Sequence, residues 1–290
     1  VLIFAGDLMQ QFINHNGIMI PSDQPSVSHT NRAFRYGDAL FETVRIVNGK
    51  PVFLQEHVNR LMEGLRVMKM LTPINLNTDI MQRLIGELCQ KNGIGSDGRA
   101  RFTVYRNNGG FYTPTDNQVS FLLEVYPIEE QGYHLNQKGL IVDLFVDFKK
   151  ALNPLASIKS ANSAIYVMAG VYKTQHQLDD CVLVNDKSQI IESISSNIFA
   201  VKNGVLYTPP VADGCVNGVM RRKVIEIAAV NKIAVYENSI TQSVLLGADE
   251  LFLTNTIKGI QWVVAYKQKR YFNTTSKKLV EKLNELVAAS

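Results

Sequence analysis

"IIESISSNIFAVKNGVLYTPP", residues 190–210, reads as short strand-forming runs separated by turn chemistry. Ile190, Ile191, Ile198, Phe199 and Val201 are β-branched or aromatic, and Asn203-Gly204 is a dipeptide that accepts positive φ at both central positions of a tight hairpin. The single acid in the stretch, Glu192, ends one strand and precedes the next. A carboxylate there either faces water or meets a buried heterocyclic nitrogen.

Upstream, "CVLVND" reads as another strand, and "LIVDLFVDF" opens this half of the chain. Between them lies "NPLASIKSANSAIYVMAG", residues 153–170, in which Lys159 has no acidic residue between Asn153 and Gly170 to pair with. The pattern after it is helical, with Ile165, Met168 and Tyr172 spaced for one buried face. A lysine at the mouth of an apolar segment is either a snorkelling surface group or an amine kept partly desolvated for chemistry. Downstream, Gly218-Val219-Met220 opens the helix "VMRRKVIEIAAVNK", whose first N–H groups suit a phosphate. Strands follow near "IAVYENS" and "ELFLTNT", with Thr256 in the loop after the latter, and "SKKLVEKLNELVAA" forms a last helix.

The first third mixes strands and helices. Asn16-Gly17 and Asn48-Gly49 signal hairpins, and Phe53, His57, Leu61, Leu65 and Met68 recur at helical spacing. A second helix spans "NTDIMQRLIGELCQKNG", with Asn77 or Thr78 as N-cap and Gly93 past its end. "GRARFTVYR" and "QVSFLLEVYPI" form a strand pair around a glycine-rich turn, with Arg101 on one face and Arg106 on the other. The change of character after residue 126 places a linker at 127–137, between a small domain (1–126) and a larger one (138–290).

Composition narrows the function. The chain has 290 residues, 46% hydrophobic and 19% charged, with net charge +4, an ordinary globular profile with no basic block for nucleic acid. Three separated cysteines argue against a disulfide framework and for a reducing, cytoplasmic setting. "VLIFAGDLMQQ" lacks the basic start of a signal peptide, and no apolar run reaches membrane-span length. The histidines never form a close pair and no Cys-x-x-Cys occurs, so no metal site is expected. Nucleophile-elbow and nucleotide-loop motifs are missing as well. Lys159, Glu192, the Gly218 helix start, Arg60 and Thr256 remain, a dispersed set suited to an anionic aromatic cofactor.

In order along the chain, "NRAFRYGDALFETVR" (31–45), "HVNRL" (57–61), "IKSAN" (158–162), "IIESISSNIFAVKNGVLYTPP" (190–210), "GVMR" (218–221) and "ADELFLTNTIKGI" (248–260) resemble the class IV, or fold-type IV, pyridoxal-phosphate enzymes. That family includes branched-chain aminotransferases, D-amino acid aminotransferases and 4-amino-4-deoxychorismate lyases. The resemblance implies an α+β chain with a small N-terminal α/β domain and a larger C-terminal α/β pseudo-barrel that binds pyridoxal 5'-phosphate. It implies that Lys159 is the Schiff-base lysine and proton shuttle, and that Glu192 holds the pyridine nitrogen protonated. Arg60, Val219, Met220 and Thr256 fall where the family contacts the cofactor phosphate. Tyr36 and Arg101 match positions near the substrate carboxylate in parts of the family, and the strand itself offers Arg106 as a second contact for a carboxylate-rich substrate. The expected partner is a small amino substrate, and the expected assembly is a homodimer with shared sites.

Local wording points first to the lyase. Thr43 stands in "FETVR" where lyases tend to carry threonine, and there its hydroxyl would help protonate or orient the eliminating group. "YRNNGGFYTP" and "CVNGVMR" are similar to lyase segments too. The alternative is an amino-acid aminotransferase, branched-chain or D-specific. A catalytically silent binding protein is disfavoured, because it would need neither Lys159 nor Glu192.

Overall fold

The computed structural model describes residues 11–24, 27–72 and 76–289. The expectation about the first eleven residues falls almost entirely outside them. The chain divides into two compact units: residues 1–131 with Ser160–Asn162, and residues 132–159 with 163–290.

The first unit is an antiparallel sheet backed by helices. Its strands are β1 (Phe12–His15), β2 (Ile18–Pro21), β3 (Ala39–Val47), β4 (Lys50–Pro51), β5 (Gly98–Arg106) and β6 (Val119–Pro127), in the order β2-β1-β6-β5-β3-β4. The expected hairpins form at Asn16-Gly17 and Asn48-Gly49, where both residues of each turn have positive φ. Its helices are α1 (Arg32–Tyr36), α2 (Leu54–Val67) and α3 (Thr78–Lys91). Asn77 caps α3 by accepting from the Ile80 N–H. Phe53 is not helical but is the left-handed cap before α2, which buries Leu54, His57, Val58, Arg60, Leu61, Gly64 and Leu65. α2 packs on β3, and α3 on β1 and β6. Strand alternation therefore sends Leu40, Glu42, Val44, Ala100, Phe102 and Val104 to the buried face, and leaves Phe41, Thr43, Arg101 and Thr103 half-buried on the other. Ser160–Asn162 are stapled to this unit through Leu40↔Ser160 pairing and an Ala161 N–H to the Ala39 carbonyl at 2.8 Å.

The second unit contains β7 (Leu140–Lys150), β8 (Asp180–Asn185), β9 (Ile190–Ser193), β10 (Asn197–Lys202), β11 (Val205–Thr208), β12 (Val235–Glu237), β13 (Glu250–Asn255), β14 (Gly259–Tyr266) and β15 (Lys269–Arg270). Strands β10-β13-β14-β7-β8-β9 close into a ring because β9 returns to β10. β11 and β12 extend the sheet from β10. This closed mixed sheet is the pseudo-barrel expected from the sequence. Val142, Val182, Val184, Ile198, Leu251, Leu253 and Val263 form a fully buried cluster within it, each aliphatic side chain contributing roughly 1.5–3 kcal/mol.

The helices of this unit are α4 (Ala164–Gln175), α5 (Val219–Val230), α6 (Gln242–Gly247) and α7 (Thr274–Ala288). α4 packs Ile165, Tyr166 and Tyr172, together with the fully buried Ala169, against Phe145, Cys181, Leu183, Ile191 and Cys215. Met168, expected on that face, is 41% exposed. The inward stripe follows i, i+4, i+7 from Ile165, and Met168 rotates away from it.

Candidate active site

The seam that closes the ring also places the acid. Glu192 pairs with Leu183 of β8 and Asn197 of β10, and its side chain is buried at 3% exposure. Its Oε1 accepts from Lys150 Nζ at 2.5 Å and from the Tyr166 hydroxyl at 2.8 Å, and Lys150 also donates to that hydroxyl at 2.7 Å. Oε2 accepts from the Val216 N–H at 2.8 Å. Burial, then the Glu192 charge, pushes the Tyr166 hydroxyl far above its ordinary range, so it remains a donor. The same two causes push the neighbouring Cys215 thiol up to about 12 and leave it unreactive.

From Val216 the network runs to the start of α5. Asn197 Nδ2 donates to the Val216 carbonyl at 2.8 Å. Gly218 lies so close that a Cβ there would sit 1.9 Å from Asn197 Oδ1, which explains the glycine at this point. Among the described residues no side chain caps α5, which begins at Val219, so the N–H groups of its first turn, from Val219 and Met220 on, suit an anion. Arg221 is buried, donates to the Pro209 carbonyl at 2.8 Å and pairs with Glu237 at 2.5 Å, fixing the loop that leads into the helix. Thr254, the register partner of Asn197, is buried with a hydroxyl that has no hydrogen-bond partner among the described residues.

Thr256 lies in the turn after β13, half-buried, its carbonyl held by the Tyr133 hydroxyl at 2.8 Å. Asn255 Oδ1 accepts from the Ile257 and Lys258 N–H groups and stiffens that turn. Lys258 is exposed. Lys159 is half-buried, and after it the chain leaves the second unit for the three residues stapled to β3.

The first unit carries the remaining sequence-predicted residues among its own neighbours. Arg60 grips Glu42 with Nε to Oε1 at 2.8 Å and a terminal nitrogen to Oε2 at 2.5 Å, while His57 Nδ1 lies 2.6 Å from Oε2. Burial alone would raise the Glu42 carboxyl. The Arg60 charge and the hydrogen bonds from His57 and Arg60 override it and hold the group at about 2. Tyr36 ends α1, with its ring 5.5 Å from that of Tyr112. Thr43 and Arg101 are direct register partners on the half-buried face, and the Arg101 guanidinium lies 3.9 Å from the Phe41 ring centre and 4.0 Å from Glu124.

Arg106, expected as a second substrate contact, is bonded within the protein. Its guanidinium is buried and spent on Asp38 at 2.9 Å, the Met68 carbonyl at 2.8 Å and Asn117. Asp38 also pairs with Arg32 at 2.8 Å. On the covered phase of β5, Arg106 ties together the residue before β3, the end of α2 and the loop between β5 and β6. Sequence reasoning missed Lys150 and Tyr166 entirely. Tyr166 shares the inward side of α4 with Ile165, a readable signal, whereas nothing local marks Lys150.

Residues 39–266 match the family model described as amino-transferase class IV. The chain belongs to that family and is an enzyme of this pyridoxal-phosphate-dependent class. A Methanocaldococcus jannaschii protein assigned as a branched-chain-amino-acid aminotransferase is 29% identical over 279 residues, covering 93% of each chain. A D-alanine aminotransferase of Bacillus licheniformis is 28% identical over 83% of each chain. A solved structure from Legionella pneumophila, assigned as 4-amino-4-deoxychorismate lyase, matches with a TM-score of 0.81 at 25% identity, over 91% of this chain and 96% of that one.

The residues of the second unit fit the family's cofactor. Glu192 Oε2 keeps acceptor capacity for a cationic ring nitrogen. The Gly218 cradle and the uncapped α5 terminus suit a phosphate. Among the described residues, no group of three or more His, Cys, Asp or Glu is arranged to hold a metal ion, and no helix is long and apolar enough to cross a membrane.

Proposed function

We propose that this enzyme is an amino-acid aminotransferase, moving an amino group from a small amino acid to a keto acid such as 2-oxoglutarate. The observation that carries the cofactor side of this reading is the divided carboxylate of Glu192, tied through Val216 and Asn197 to the helix start at Gly218. The similarity over 93% of both chains to a protein assigned as a branched-chain aminotransferase, and over 83% to a D-alanine aminotransferase, favours transfer over elimination.

Pyridoxal phosphate, when bound, supplies an electron sink for the charge left at the substrate Cα. The chain supplies the rest. Glu192, as the carboxylate partner of the ring nitrogen, stabilises a cation there. Lys159 offers an amine for covalent attachment and, once released, moves a proton from the substrate Cα. The α5 terminus, with Val219 and Met220, and the Thr256 turn hold the phosphate and so fix the ring's position. The roles assigned to Arg60 toward phosphate, and to Tyr36, Thr43 and Arg101 toward the substrate carboxylate, rest on the sequence pattern.

The lyase reading, favoured by local wording, stays second. Thr43 directly opposite Arg101, and the 25% identity to the Legionella structure, support it. Product analysis separates the two. Amino acids of both chiralities offered with 2-oxoglutarate should give glutamate and the matching keto acid. Pyruvate and 4-aminobenzoate from 4-amino-4-deoxychorismate, formed with no keto acid present and with no glutamate formation in the first assay, would overturn the aminotransferase reading.

A further inference from the structure

A carboxylate has about four lone-pair positions, and the protein divides those of Glu192 unevenly. Oε1 takes both charged and hydroxyl donors, Lys150 Nζ at 2.5 Å and the Tyr166 hydroxyl at 2.8 Å. The 2.7 Å bond from Lys150 to Tyr166 closes these three groups into a triangle. Oε2 takes one backbone N–H, that of Val216. The donors come from three separate elements: Lys150 from the end of β7, Tyr166 from the first turn of α4, and Val216 from the loop before α5. Glu192 is 3% exposed and Lys150 is nearly buried, so the pair is shielded from water and salt. Burying a carboxylate away from water is costly unless a cation is paired with it. A carboxyl that can rotate also has no fixed direction for its acceptor.

We infer that Lys150 and Tyr166 are positioning residues: by anchoring Oε1 they fix the plane of the Glu192 carboxylate, so that Oε2 is the oxygen presented to the ring nitrogen of the cofactor. The inference rests on the pyridoxal-phosphate reading above. It assigns Lys150 a task distinct from that of Lys159, because an ammonium committed to Glu192 is not a nucleophile.

The test compares wild type, Lys150→Met, Lys150→Arg and Tyr166→Phe, each loaded with pyridoxal phosphate carrying ¹⁵N in the ring. The readouts are the ¹⁵N chemical shift of the ring and the dissociation constant of the cofactor. Wild type should show a protonated ring nitrogen. Lys150→Met should weaken cofactor binding on the order of tenfold and move the shift toward the unprotonated value. Lys150→Arg should restore both, since it keeps the charge. Tyr166→Phe should move both in the same direction by less, and it reports on the same oxygen should Lys150→Met fail to fold. Wild-type affinity and wild-type shift in Tyr166→Phe and in every folded Lys150 variant would overturn the inference while leaving the cofactor reading intact. A wild-type protein that binds no pyridoxal phosphate would overturn both.

Discussion

Glu42 and Glu192 are each buried beside a cation, one in each unit, and they are used differently. Glu42 is closed: Arg60 takes both of its oxygens, and His57 adds a contact to Oε2. Glu192 is half open: Oε1 is saturated by Lys150 and Tyr166, while Oε2 has one backbone bond. A closed pair returns its desolvation cost only as local order. A half-open one keeps a directed acceptor for another cation. Burial of an acid is therefore a poor guide to function by itself, and its remaining hydrogen-bond capacity is the better one.

That contrast can be broken by substitution. Glu192→Gln keeps shape but loses charge, and should lower kcat by about a thousandfold, roughly 4 kcal/mol, with little change in the circular dichroism spectrum. A loss below tenfold would make the two acids equivalent. Glu42→Gln should act on stability instead, costing about 3 kcal/mol in urea unfolding because the buried Arg60 loses its paired carboxylate. A variant as stable as wild type would remove the distinction from the other side.

A smaller test uses pH. The folded Glu42 carboxyl sits near 2, below its ordinary 4.5. Its contribution is present above about pH 4.5 and is lost as pH falls through about 2, amounting to at most about 3 kcal/mol. Wild type should lose more stability than Glu42→Gln across that window. Parallel losses would contradict the assignment.

Much of the fold was legible because its signals are local. Asn-Gly pairs marked the hairpins, and Asn77 and Gly93 bracketed α3. α1 was missed because five residues carry no periodicity, although Asn31 and Gly37 stand at its two ends as side-chain cap and left-handed terminator. The closed arrangement of Glu42 was partly readable. It falls on the buried phase of β3 with Leu40 and Val44, and His57 and Arg60 share one face of α2. The phase of Arg106 on β5, opposite Arg101, was readable, but its partners Asp38, Met68 and Asn117 come from distant segments and were not. Lys150 was illegible, since its partner lies 42 residues away and meets it only through the pairing of β7, β8 and β9. Long-range partners of this kind are fixed by topology, which no window of sequence displays.

The most direct test is chemical: load the protein with pyridoxal phosphate, reduce with borohydride, digest, and locate the pyridoxyl group by mass spectrometry. One modified residue is expected, Lys159, with Lys150 untouched. Label on Lys150, or no label at all, would contradict it.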